Sequence, residues 1–202
     1  MKIGPKFKIA KRLGASVFDK TQTQKFAIAQ ERSAKNKKRG RGATEFGKQL
    51  LEKQKIRFTY GVTENQFRNY VKKAMEATGS NPGETLHQLL ELRLDNIVYR
   101  LGLTGSRRAA RQMVSHGHIT VNGVKTTIPS RHIHAGDRIA VREGSKNSVL
   151  FQNFEEKFME RTIPSWLSWN PKNMEGGITE LPTSAASEPA GDLVAVLSFY
   201  SR

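Results

Sequence analysis

Three arginines and two histidine pairs are the residues of this chain best suited to chemistry. Arg107 and Arg111 stand four positions apart and Arg108 and Arg111 three, spacings that share one helix face. Gln112 follows them. A guanidinium is planar and can grip two phosphate oxygens at once, so such a face suits a nucleic-acid backbone. The plainer alternative is a solvated face, although arginines crowded without nearby acids repel one another. His116 and His118, and again His132 and His134, are spaced i, i+2. On a strand that spacing points both rings to one side, which could suit zinc. With no cysteine and no matched carboxylates, contacts to RNA or packing fit the pairs better, and no metal or cofactor is expected. Asp95, in an Arg-Leu-Asp triplet, could be the acid of an RNA-modifying enzyme such as a pseudouridine synthase. A local ion pair or solvent explains it better, since the chain has no large catalytic domain. Phosphate loop, dinucleotide glycine fingerprint and nucleophile elbow are all missing, so binding rather than turnover is the expectation.

These side chains need elements to hold them. Leu86, Leu90, Leu94, Ile97, Val98 and Leu101 recur at helical spacing, opened by Asn81 and Pro82. Ser106 caps a short helix from Arg107 to His116. Ile119 and Val121 alternate into Asn122-Gly123, a strong hairpin signal, and Val124, Lys125 and Thr126 return from it. Ile128-Pro129-Ser130 interrupts the pattern, and Gly136-Asp137 turns into a strand over 138–142. Residues 84–149 thus read as a small α+β module, two helices on a short antiparallel sheet.

The charge identifies the partner. Among 202 residues, 34 Lys+Arg face 18 Asp+Glu, a formal +16. Residues 1–58 carry 17 basic and 4 acidic groups (net +13), residues 59–149 carry 13 and 7 (net +6), and residues 150–202 carry 4 and 7 (net −3). Such an excess favours a polyanion, because each neutralised phosphate releases condensed counterions. The absence of cysteine fits a reducing cytosol. No run of about 18 apolar residues exists, so no membrane span is expected.

Residues 1–44 read as a basic extended arm, with Lys6, Lys8, Lys11 and Arg12, then Lys35, Lys37, Lys38, Arg39 and Arg41. Blocks of this kind either stay solvated or fold on RNA. Phe7, Ile9, Leu13, Val17 and Phe18 hint at limited packing. A helix is expected over 45–58, with Phe46 and Leu50 inward and Lys48, Lys53, Lys55 and Arg57 mostly elsewhere. Thr63 and Gln66 form a capping-box pattern before the stripe Phe67, Tyr70, Val71, Ala74, Met75, which leaves Arg68, Lys72 and Lys73 outside. Phe151, Phe154, Phe158 and Met159 suggest another helix. Trp166 and Trp169 are expected to anchor to the helical part. Residues 170–192 read as loop and 193–202 as an apolar run returning as a strand or buried by a neighbour.

The order of motifs resembles the bacterial small ribosomal subunit protein four family, which gives its name to a small RNA-binding domain. Matching stretches are Gln49 to Arg57, Tyr60-Gly-Val, Leu89 to Gly102, Ala110 to Ile119, Val121-Asn-Gly123 and Ile128-Pro-Ser130. Gly4-Pro5, Arg12-Leu-Gly14, Pro164-Ser-Trp-Leu167 and the closing Phe199-Tyr-Ser-Arg202 agree too. The resemblance implies a helical domain, 45–83 with 150–202, into which the module 84–149 is inserted. It implies a structural, cytoplasmic role in the small subunit: direct binding of small-subunit ribosomal RNA and early assembly of the 5′ domain. It also implies a share in the mRNA entry path and in translational accuracy, beside small-subunit proteins five and three. The RNA contacts would come from Lys6, Lys8, Lys11 and Arg12 in the arm and from Lys48, Lys53, Lys55, Arg57, Arg68, Lys72 and Lys73 in the helices. The module would add Arg107, Arg108, Arg111, Gln112, His116, His118 and Lys125, mostly toward phosphate and sugar. Alternatives are an RNA-modifying enzyme or a free regulatory RNA-binding protein using the same module. The chain departs from many relatives in lacking an N-terminal zinc-binding cysteine cluster. Residues 14–42 diverge most, and 170–192 look lengthened.

Overall fold

A computed structural model describes residues 3–14, 17–18, 21–35, 44–151, 163–185 and 190–201. The chain forms two compact units: residues 1–86 with 189–202, and residues 87–188 inserted between them. The basic cluster over 36–43 and the helix expected around Phe154, Phe158 and Met159 lie outside the described residues.

The first unit is helical. α1 (Lys6–Leu13) and α2 (Gln24–Lys35) occupy what the sequence suggests is an extended arm. They form because Ala10, Phe18 and Phe26 bury together, with Phe7, Ile9, Val17 and Phe58 packed around them. Two helices of 8 and 12 residues offer too few periodic positions for that face to be read from sequence. α3 (Glu45–Tyr60) starts where the Thr44 hydroxyl accepts the Gly47 N–H at 3.2 Å and stops at Gly61. α4 (Glu64–Glu76) opens on the expected capping box between Thr63 and Gln66 and buries Phe67, Val71 and Ala74. The C-terminal apolar run is a helix rather than a strand. Asp192 accepts the Ala195 N–H at 3.0 Å and so caps it, and the run lies on α3 with Val196 fully buried. Phe199 stacks near Phe46 and Tyr200 near Phe67, with ring centroids 5.3 and 6.2 Å apart.

In the second unit the expected leucine helix is two helices. α5 (Pro82–Glu91), which starts in the first unit, ends before Arg93, and α6 (Leu94–Arg100) follows. Arg93 is extended (φ −71°, ψ 136°) because its neighbourhood bonds to the loop after the hairpin instead of to the helix. Ile133 N–H donates to the Leu92 carbonyl at 3.0 Å, and the Leu94 and Asp95 N–H groups donate to the Arg131 and Pro129 carbonyls. Helical spacing continues through the break, which hides it in the sequence.

α7 (Arg107–Ser115) is capped by Ser106, whose hydroxyl accepts the Ala109 N–H at 3.2 Å. β1 (Ile119–Val121) and β2 (Val124–Lys125) form the hairpin. Asn122 and Gly123 supply the two positive φ angles, 53° and 78°, that such a two-residue turn needs. β3 (Arg138–Val141) leads into the short α8 (Glu143–Lys146). β4 (Leu167–Asn170) and β5 (Glu175–Ile178) complete one antiparallel sheet in the order β2-β1-β3-β5-β4.

The fold class is α+β as expected, but the last two strands correct the reading of 150–202 as helical domain and of 170–192 as loop. Arg138, Ile139 and Ala140 pair with Gly177, Gly176 and Glu175, which places β5 beside β3. Trp166 is 1% exposed and packs in the same core as Ile97, Val114, Ile139 and Ile178, so it anchors the sheet unit. Gly176 and Gly177 depress strand propensity. Yet a Cβ on Gly176 would meet the Ser168 carbonyl oxygen and, at 2.8 Å, the Trp169 ring, so close packing requires the glycine.

Candidate nucleic-acid interface

α7 points Ala110, Met113 and Val114 into the core, which turns its arginines outward or sideways. Arg108 and Gln112 are exposed, and among the described residues Arg108 has no acidic partner. Arg107 and Arg111 differ. Arg111 donates from Nε and Nη2 to Asp95 Oδ2 at 2.9 and 2.7 Å, with its side chain 30% exposed. Arg107 donates from Nε to Asn96 Oδ1 at 2.8 Å, and its guanidinium lies 4.4 Å from the Tyr99 ring centroid. The expectation of arginines without nearby acids is therefore corrected for Arg111.

A polar network under α7 holds this arrangement. Asp95 also accepts from buried Arg93, Nε to Oδ1 at 3.1 Å and Nη2 to Oδ2 at 2.9 Å. Asn96 donates to Glu91 Oε2 at 2.9 Å, and Arg100 closes on the fully buried Glu91 at 2.9 and 2.7 Å. Asp95 is thus an ion-pair residue, as the sequence reading prefers.

The helices of the first unit sort their cations. Lys8, Lys11 and Arg12 on α1 and Arg68, Lys72 and Lys73 on α4 are exposed, while Lys6 is half-buried with Nζ 5.8 Å from the Phe18 ring. Lys48 and Lys72 lie 3.8 and 3.7 Å from Glu45 and Glu76, exposed pairs of the kind worth under about 1 kcal/mol that open readily. Lys55 and Arg57 are half-buried: Lys55 pairs with Glu52 at 3.5 Å, and Arg57 donates to Gln54 and lies 3.6 Å from Glu64.

Lys53 does not belong with them. It is buried, donates to Glu64 Oε1 at 2.7 Å and lies 4.5 Å from the Phe199 ring centroid. Tyr200 donates its hydroxyl to the same Glu64 oxygen at 2.7 Å. Burial acts to raise the Glu64 carboxyl, but bonds from Lys53 and Tyr200 and the charges of Lys53 and Arg57 outweigh it, leaving it below its ordinary value. The same burial, with Glu64 beside it, pushes the Tyr200 phenol up. Lys53 therefore ties α3, α4 and the C-terminal helix α9 (Leu193–Tyr200) together, and its placement on an RNA surface is corrected.

At the far end of α7, His116 and Lys125 are exposed and His118 is half-buried, its Nδ1 3.0 Å from the Ser145 hydroxyl. Arg142, which the sequence offers only as the end of a strand and not as an RNA contact, joins them because it follows β3 directly opposite His118. Only the register reveals its place beside His118. The second histidine pair, His132 and His134, has ring centroids 5.1 Å apart on the loop before β3.

Comparison with known proteins gives the family. Residues 1–91 fit the family described as ribosomal protein S4/S9 N-terminal domain, and residues 92–139 fit the S4 domain. A protein of Christiangramia forsetii called small ribosomal subunit protein uS4 is 46% identical over 180 residues, 89% of this chain and 88% of its own. Proteins of the same name from Roseiflexus castenholzii and Latilactobacillus sakei are 42% and 41% identical, each covering at least 98% of both chains. The chain belongs to the ribosomal protein S4 family. It is an RNA-binding ribosomal protein, not an enzyme, and the RNA-modifying alternative falls away. The boundary between the two family matches coincides with the break at Leu92–Arg93 between α5 and α6, where the S4 domain begins.

Proposed function

We propose that this protein is a structural component of the small ribosomal subunit that binds its ribosomal RNA directly and nucleates assembly of the 5′ domain. In the S4 domain, Arg108, Gln112, His116, His118 and Lys125 contact the RNA, joined by Arg107 and Arg111, whose guanidinium planes are held by Asn96, Tyr99 and Asp95. In the helical unit Lys6, Lys8, Lys11, Arg12, Lys48, Lys55, Arg57, Arg68, Lys72 and Lys73 serve the same end. The contacts go mainly to phosphate and sugar, and the folded shape of the RNA sets selectivity. The carrying observation is that Arg108, Lys125, Arg68 and Lys73 stand exposed without an acidic partner among the described residues. A cytoplasmic location, contacts to proteins five and three, and a share in the mRNA entry path and in accuracy complete the reading.

The test is fractionation of cell extract on a sucrose gradient, joined to binding of a 5′-domain transcript. The reading expects stoichiometric presence in the small subunit and an affinity that falls steeply with salt. A protein found only in free fractions would instead be a regulatory RNA binder.

A further inference from the structure

We infer that the corner where α7 ends, β1 begins and β3 runs into α8 is a built site for one RNA phosphate, whose occupancy is coupled to protonation of His118. The inference rests on the RNA-binding reading above. Strand register assembles the corner. Ile119 pairs with Val141, so His118 and Arg142 are the next positions across, and the Arg142 N–H donates to the His118 carbonyl at 2.8 Å. On the other side of β1, Thr120 pairs with Lys125. The Lys125 side chain runs back over Gly117, close enough that a Cβ there would collide with its Cε. The His116 ring, at the end of α7, has its centroid 6.1 Å from that of His118.

Four basic side chains thus converge, and among the described residues none of His116, His118, Lys125 or Arg142 has a carboxylate partner. Glu143, next to Arg142, is taken by Lys146 Nζ at 2.8 Å. Buried Ser145 ties the corner: its hydroxyl oxygen lies 3.0 Å from His118 Nδ1 and 3.4 Å from Arg142 Nε. Arg142 Nε–H can only donate, so the hydroxyl hydrogen is available to His118 Nδ1, and the neutral ring then carries its proton on Nε2. On protonation the hydroxyl turns round and accepts from Nδ1–H. Burial, then the like charges of His116, Arg142 and Lys125, hold this imidazole below its ordinary value of 6.5. A phosphate in the corner offsets those charges and lifts the ring, so a proton from solvent is taken up on binding.

The experiment measures affinity of the full chain for a 5′-domain transcript at about pH 5.5 and about pH 8, bracketing the imidazole range. The wild type binds more tightly at the lower pH, by up to about tenfold for each unit that RNA raises His118. His118→Gln loses that gain, so the ratio of its affinities at the two pH values falls toward one. Arg142→Gln weakens binding at both, and Arg108→Ala weakens both while keeping the wild-type ratio. An imidazole titration followed by NMR, with and without RNA, reads the same shift directly in unmutated protein. An unchanged pH ratio in His118→Gln, or an NMR titration that RNA does not displace upward, overturns the inference. Wild-type protein that fails to bind RNA at either pH overturns the RNA reading itself.

Discussion

Truncating Asp95 to alanine removes one carboxylate that serves two guanidinium groups. Its side chain is 5% exposed and that of Arg93 only 2%, against 30% for Arg111. Arg93 loses the acceptor of bonds at 3.1 and 2.9 Å while its own charge stays in the interior. Breaking a buried pair on one side costs about 3–5 kcal/mol, because the remaining ion keeps its desolvation cost and loses its Coulombic partner. Against a typical stability of about 5–15 kcal/mol that is a large share. At about 2–4 °C per kcal/mol for a chain of this size, the unfolding midpoint falls by roughly 6–20 °C. Circular dichroism of urea and thermal unfolding measures it, at low and at high salt. A buried pair is screened little, so the deficit persists in high salt. Adding Arg93→Met to the alanine variant recovers much of the loss, since the buried charge that Asp95 served is gone. A loss under about 1 kcal/mol, or one that salt erases, would show Asp95 behaving as a surface group and refute the interior network.

Four further variants have expected outcomes. Arg108→Ala weakens RNA binding and lowers the salt slope by about 1, whereas Lys53→Met lowers stability and leaves the slope alone; a slope change in Lys53→Met would return that lysine to the RNA surface. Because Glu64 titrates below its ordinary 4.5 when folded, its stabilisation is present above that value and is lost as pH falls through the folded value. Glu64→Gln should therefore flatten the acid limb of the stability profile, and superimposable limbs would disprove the contribution. Gly176→Ala forces a methyl group against the Ser168 carbonyl oxygen, so thermal unfolding should show a loss of about 1–3 kcal/mol from overpacking, and an unaffected midpoint would contradict the β4–β5 register.

Much of the S4 domain was legible because its signals are local. The Ser106 cap, the Asn122-Gly123 turn and the apolar face of α7 each depend on residues within a few positions of one another. The Thr63–Gln66 capping box was legible for the same reason. What escaped depends on long-range partners. The break before α6 needs the loop carbonyls of Pro129 and Arg131. β5 carries two glycines that only a neighbouring strand and the Trp169 ring can justify. The C-terminal run, expected as a strand or as a segment buried by a neighbour, is a helix because Asp192 caps it and an α3 face lies beneath it.

The candidate site teaches the same lesson about charge. Counting lysines and arginines located the polyanion-binding protein but could not separate cations that meet RNA from cations that hold the fold. The separation is made by acids far away in sequence: Glu64 claims Lys53 from 11 positions away, and Asp95 claims Arg111 from 16. On the proposed reading Arg111 belongs to both classes. Its fork is fixed by Asp95 while almost a third of the side chain stays exposed, so less side-chain freedom remains to be lost when a phosphate arrives. A cation paired underneath and open above is better prepared for a fixed RNA backbone than one waving in solvent, which is a physical reason for a buried acid to sit beneath a helix proposed to meet RNA.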